Sequence, residues 1–504
     1  MSPPTTLGQL KASGYVSRNV KDEIRFHLRR KLAAGETLFP GVLGFDRTVI
    51  PGIVNALLAR HDFILLGLRG QAKTRLLRGL TSLLDEEIPV LAGSELNEDP
   101  LAPISTYGRR LVEEAGDEAP VEWWPREERY NEKLATPDVS IADLLGDIDP
   151  IKAATRKLTF ADPEVMHFGI VPRTNRGIFA INELPDLAPR IQVGLLNILE
   201  ERDLQLRGFP VRIPLELLMV FSANPEDYTN RGSIITPLKD RIASQILTHY
   251  PSDVATAAEI TRQEAWTDRG CELVPLSEEL THLIEEIAFA ARESEMVDQA
   301  SGVSARLPIS ALELLVSNLE RRQLVHGRDA AAPRLCDLYM LLPAITGKVE
   351  MVYEGEQQGV EVVARQIIGS AVKKLFDKRF PKVKRTVGSG GDDDTSPYSP
   401  IVAWFAEGNE VLVSDEQSEG DYRAELEKVP GLFDLVAAHS NGCDANSETD
   451  SETASETGAD AVGEELLLEG LHHYLKLGRD DLDSRITYKE MVKFQLLKPR
   501  PARA

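Results

Sequence analysis

The stretch from Phe63 to Leu84 constrains the fold more than any other part of this chain. The four apolar residues Phe63 to Leu66 fit a short buried strand. Directly after them come Gly67, Leu68, Arg69, Gly70, Gln71, Ala72, Lys73 and Thr74. They match the phosphate-cradling pattern G-x-x-x-x-G-K-[ST] everywhere except at Ala72. Leu76, Leu77, Leu80, Leu83 and Leu84 then share one face of a helix. Strand, glycine-bearing loop and helix in that order gather backbone N–H groups and the positive end of a helix at one point, which favours a phosphate anion. In such a loop Lys73 reaches the β- and γ-phosphates and the Thr74 hydroxyl faces Mg2+. The bland alternative is a strand–turn–helix with a chance Gly/Lys turn, and the flanks, the spacing and Thr74 together argue against it. The methyl of Ala72 crowds a tight turn slightly, so the loop's role is better determined than its affinity.

The chain has 504 residues, enough for about two to four domains and a large core. Its net charge of −23 disfavours nucleic-acid partners and anionic membranes, whose phosphates it repels. No apolar run approaches the roughly 18 residues of a spanning helix, and Met1 to Thr6 lack an apolar signal core. Cys271, Cys336 and Cys443 are few and far apart, which suits a reduced, cytoplasmic setting and makes neither a disulfide framework nor a zinc site.

Residues 1–40 read as a helical, charged N-terminal extension. From 41 to 250 buried strands alternate with helices, the strands being expected at 63–66, 88–92, 177–181, 215–222 and 244–249. Runs such as Ile178 to Ile181 fit a parallel sheet covered on both faces. The polar stretch 93–170 reads as an insertion, in which Trp123 and Trp124 are local core or a binding patch. Residues 204–213 alternate around Gly208 and suggest a β-hairpin. From 251 to 385 the pattern is helical. One face carries Leu280, Leu283, Ile284 and Ile287, and another carries Ile309, Leu312, Leu315, Val316 and Leu319.

Residues 386–438 hold a flexible linker up to 398 and a small segment. No Lys or Arg lies between 429 and 475, and Ser447, Ser451 and Ser455 each open a Ser-Glu-Thr triplet. The stretch 439–462 therefore reads as an acidic disordered linker, or as a partner-binding tail that can be phosphorylated. An amphipathic helix and a basic tail fill 463–504.

Hydrolysis of a bound triphosphate needs a metal-facing group, a base and positive charge against the γ-phosphate. Asn182 and Glu183 end the strand over 177–181. Glu183 is the candidate base, and Asn182 faces Mg2+ through a metal-bound water, with less Coulombic support than a carboxylate gives. Alone, the pair is a capped strand end. Asn224, after the strand ending at Phe221, would touch the γ-phosphate or the attacking water; alone, it is a turn before Pro225. Arg241 is an arginine finger for a neighbouring subunit or a surface ion pair with Asp240. Arg306 clamps phosphate from the helical region or is helix-end charge.

In this order the pieces resemble an AAA+ ATPase of the MoxR and magnesium-chelatase branch, over roughly residues 40–320. Gly67 to Thr74 corresponds to Walker A, and its Ala-Lys-Thr ending is typical of MoxR-like members. Asn175 to Glu183 resembles the Walker B of magnesium-chelatase I subunits, with Asn182 in place of the usual Asp. Leu199 to Arg202 followed by the 204–213 hairpin resembles that branch's pre-sensor-1 hairpin. Asn224 falls at sensor 1, Arg241 at the arginine finger and Gly302 to Arg306 at sensor 2.

The resemblance implies an α/β P-loop domain followed by a helical lid, ATP and Mg2+ as cofactors, and a ring, expected to be hexameric. Arg241 of one copy would then meet Lys73, Thr74, Asn182, Glu183, Asn224 and Arg306 of the next. It also implies remodelling or maturation of a client, with a von Willebrand factor A domain protein. The sequence holds no Asp-x-Ser-x-Ser motif, so that domain would be on another chain. The alternatives are the ATPase subunit of a magnesium chelatase and a nucleotide-gated scaffold with little hydrolysis.

Overall fold

The computed structural model describes residues 3–149, 151, 155, 165–205, 212–225, 232–270, 276–327, 332–383, 396–439, 461–482 and 485–491. The chain divides into two compact units, Met1–Pro251 and Ser252–Ala504, each with its own hydrophobic core.

The first unit is built on five parallel strands: β1 (Phe63–Leu66), β2 (Tyr130–Leu134), β3 (Gly177–Asn182), β4 (Leu217–Ala223) and β5 (Ser244–Leu247). Their order across the sheet is β5-β1-β4-β3-β2. Successive side chains of a strand point to opposite faces, so an apolar run must be covered on both sides. Phe63 and Leu65 of β1, with Ile178, Ala180, Leu218 and Val220, belong to one core. Ile64, Phe179, Ile181, Met219 and Phe221 belong to the other. The first face is covered by helices α1 (Val20–Ala34), α2 (Val49–Leu58) and α3 (Lys73–Gly79), which bury Ile24, Leu28, Ile53, Leu76 and Leu77. Each such aliphatic side chain contributes about 1.5–3 kcal/mol. This is the expected α/β architecture, a parallel sheet with flanking helices, followed by a mainly helical second unit.

Three expectations change. The strand over 88–92 exists as Glu87–Leu91, but it pairs antiparallel with Val121–Pro125 outside the main sheet. Its place is taken by β2, from the stretch 93–170 that reads as an insertion. β2 is an edge strand whose side chains are half-buried or exposed, so Tyr-Asn-Glu-Lys-Leu carries no apolar run. Residues 20–34 are not an appendage. Glu23 of α1 and Arg129, just before β2, form a bidentate ion pair at 2.8 and 2.7 Å, both essentially buried, and Arg129 also donates to the Arg176 carbonyl. The arms of the expected hairpin pair at Asp203–Gln205 and Arg212–Pro214, while its turn at Gly208 lies outside the described residues.

In the second unit the helices Glu278–Glu293 and Arg306–His326 bury the faces read from the sequence, except Ile309, which is half-buried. The helix Ala461–His473 is not amphipathic in place. Its side chains from Val462 to Leu471 are buried, Glu464, Glu465 and Glu469 included. A three-stranded antiparallel sheet, Val411–Ser414, Arg485–Glu490 and Leu477–Leu482, shares its core with the helices of 278–380. The Ser-Glu-Thr triplets, most of the 386–398 linker and the basic tail lie outside the described residues. Among the described residues no helix is long and apolar enough to cross a membrane.

Candidate functional site

The site stands at the carboxyl ends of β1, β3 and β4, where open parallel sheets bind ligands. β1 ends at Leu66 and the loop leads into α3. Gly70 takes φ +74°, a left-handed conformation that glycine adopts without strain. Ala72 takes φ +53° and is exposed, so the departure from the glycine pattern costs backbone strain rather than crowding. Gly67 is required for another reason. A Cβ there would meet Thr248 Oγ1 at 2.0 Å and Gln71 Oε1 at 2.2 Å.

Lys73 is buried at the first turn of α3. Its ammonium donates to the carbonyl of Leu68 at 3.0 Å, to the carbonyl of Gly67, and to Oδ1 of Asn224 at 2.5 Å. Asn224 in turn donates from Nδ2 to Oε2 of Glu183 at 2.8 Å. A cation, an amide and a carboxylate, from three separate elements, thus form one hydrogen-bonded chain. Glu183 has φ +54°. A non-glycine residue in that region costs on the order of 1–3 kcal/mol and such residues cluster at functional sites.

Asn182 is held by Ser222, whose Oγ donates to Asn182 Oδ1 at 3.1 Å. Glu132 of β2 lies beside it. The Arg78 guanidinium holds that carboxyl below its ordinary value, opposed by desolvation and helped by Tyr130 and Asn182. Thr74 is half-buried in the first turn of α3. The residues present are of the kind a magnesium–triphosphate needs: a loop with a buried ammonium at the start of a helix, a hydroxyl at Thr74 and an amide at Asn182.

Two expected members are on other elements. Arg241 donates from Nε to Glu200 Oε2 at 2.7 Å and from Nη1 to the Pro237 carbonyl at 3.0 Å. Its ion-pair partner is thus Glu200, not Asp240, because the helix Leu196–Glu200 packs against the helix Thr236–Arg241. Arg306 is the exposed first residue of the helix Arg306–His326, in the second unit.

The sequence reading missed Thr248 and Tyr250. Thr248 Oγ1 donates to Gln71 Oε1 at 2.7 Å, and the Tyr250 hydroxyl donates to the Arg69 carbonyl at 2.9 Å. The only sequence signal was their position directly after the last strand of the sheet.

No family model matches the chain, and no curated protein matches it. Solved structures similar to it include NtrX from Brucella abortus in complex with ADP, at 13% identity over 57% of this chain and 55% of that one, TM-score 0.32. A complex of the BchI and BchD subunits of magnesium chelatase matches at 18% identity over 66% and 95%, TM-score 0.30. The branch-migration motor RuvB of Thermotoga maritima matches at 11% identity over 65% and 68%, TM-score 0.31. The chain spans about half the length of the NtrX structures.

Proposed function

We propose that this chain is a ring-forming AAA+ ATPase that couples ATP binding and hydrolysis to the remodelling or maturation of a partner protein. The observation that supports this best is the chain Lys73–Asn224–Glu183, gathered at the carboxyl ends of the parallel strands. Lys73 is the charge for the β- and γ-phosphates, Asn224 the group that touches γ-phosphate or water, and Glu183 the base that orients the attacking water. Bound Mg2+ supplies neutralisation of phosphate charge. Arg241, at the surface beside Glu200, is the residue offered to a neighbouring copy, and Arg306 the one offered from the helical unit. The client is a protein associated with a von Willebrand factor A domain on another chain; a magnesium-chelatase role is the variant reading of the same machine.

Asn182 favours a second reading, a scaffold that binds nucleotide with little turnover, because an amide gives a metal less Coulombic support than a carboxylate. Steady-state phosphate release by the purified chain, with Lys73→Ala as the blank, separates the two. Release well above the blank supports the ATPase, and release at the blank's level supports the scaffold. Asn182→Asp, which restores a charge on the metal side, is expected to preserve or raise turnover.

A further inference from the structure

We propose that Thr248 and Tyr250 are positioning residues that hold the phosphate loop in its binding shape before nucleotide arrives. This rests on the reading of Gly67 to Thr74 as a nucleotide cradle and adds residues from outside that motif to it.

β5 runs beside β1, and its hydrogen-bond ladder continues one step past the strand, with Thr248 N donating to the Leu66 carbonyl at 2.9 Å. That step brings the Thr248 side chain over the start of the loop. Its hydroxyl donates to Gln71 at 2.7 Å, and both side chains are buried, at 8% and 6% exposure. The pair fills the space that a Cβ on Gly67 would take, which is the physical reason for glycine at that position. Two residues on, the Tyr250 hydroxyl carries the Arg69 carbonyl at 2.9 Å. Between them His249 faces the other way. Its Nε2 lies 2.7 Å from Thr48 Oγ1, and its ring stands edge-on to Phe45 at 5.1 Å. The strut is thereby anchored behind as well as in front.

A glycine-bearing loop left to itself samples many conformations, and binding must order it at an entropic cost. Pinning residues 69 and 71 from β5 lowers that cost, so the strut acts on affinity rather than on chemistry. Thr248 to Tyr250 are also the last residues before Pro251, where the first unit ends. The stretch of chain that shapes the loop is therefore the stretch that leads into the second unit.

The test uses the full chain with Thr248→Val, Tyr250→Phe and the conservative Thr248→Ser. Two quantities are read: the Kd for a fluorescent ADP analogue, and hydrogen exchange of the 67–72 amides without nucleotide. Each of Thr248→Val and Tyr250→Phe is expected to raise Kd about three- to tenfold, the range of one neutral hydrogen bond. Both should speed loop exchange while exchange in β3 and β4 stays unchanged. Thr248→Ser should restore both readouts. Wild-type Kd in both variants, or unchanged loop exchange in Thr248→Val, overturns the strut. A wild-type chain that binds no analogue instead overturns the nucleotide reading; loop exchange still decides whether the strut exists.

Discussion

Lys73 and Asn224, 151 residues apart in sequence, share a hydrogen bond of 2.5 Å. The contact ties the loop to the end of β4 and, through the Nδ2 of the same amide, to Glu183. The ammonium also donates to two loop carbonyls, those of Gly67 and Leu68.

Glu183→Gln removes the base while leaving an oxygen that still accepts from Asn224. Phosphate release should fall by about 10²–10⁴-fold, with nucleotide affinity kept. Single-turnover release and equilibrium binding check this together. Loss of nucleotide affinity would show that Glu183 has been assigned the wrong role.

Arg241→Ala should cost the isolated chain little, because its partly exposed pair with Glu200 is worth about 0–1 kcal/mol. Turnover should nevertheless drop by at least 10²-fold, since a finger delivered between subunits stabilises transition-state charge. Mixing Arg241→Ala with Lys73→Ala should recover part of the activity, because the first then supplies intact loops and the second intact fingers. Wild-type turnover in Arg241→Ala would sink the assignment.

Ala72→Gly relieves a left-handed alanine at an exposed position. The first unit should gain up to about 1 kcal/mol in denaturant unfolding, less what the freer unfolded chain takes back. A clear loss of stability would mean that the methyl packs in a way the exposed geometry does not suggest.

Burial pushes the Glu465 carboxyl up to about 7, from an ordinary 4.5. It accepts from the Tyr422 hydroxyl at 2.9 Å and the Cys336 amide at 3.1 Å, and Asp337 and Glu469 add negative charge around it. The folded chain binds this proton more tightly than the unfolded one. The contribution is complete below about pH 4.5, declines as pH rises toward 7 and is flat above. Glu464 and Glu285, also raised to about 7 by burial, act with the same sign. Glu465→Gln should remove one share, so its stability should fall less than the wild type's between pH 5 and pH 8, by on the order of 1–3 kcal/mol. Parallel pH profiles in chemical denaturation would refute this.

The strand, turn and helix over 63–79 were legible because their information is local. A glycine-bearing turn between an apolar run and a leucine-faced helix is specified within about 20 residues, and neighbouring residues alone decide such a turn. β3 and β4 were legible for a related reason, since strands buried on both faces must be apolar throughout. β2 was not, because an edge strand has no such requirement. The helix Ala461–His473 was misread because buried carboxylates look like a solvated face until their partners are known: Tyr422 and the Cys336 amide for Glu465, Arg479 and Tyr488 for Glu469.

By itself, then, the order of residues determined that a glycine-bearing turn joins a buried strand to a helix opening at Lys73 and Thr74, and that a parallel sheet carries it. Tertiary structure alone decided that Asn224 stands between Lys73 and Glu183, that Glu200 holds Arg241, and that Thr248 and Tyr250 brace the loop. The division follows from range. Turn and helix propensities act over a few residues, whereas those pairings join residues 41 to 181 positions apart that meet only after the sheet has set its strand order.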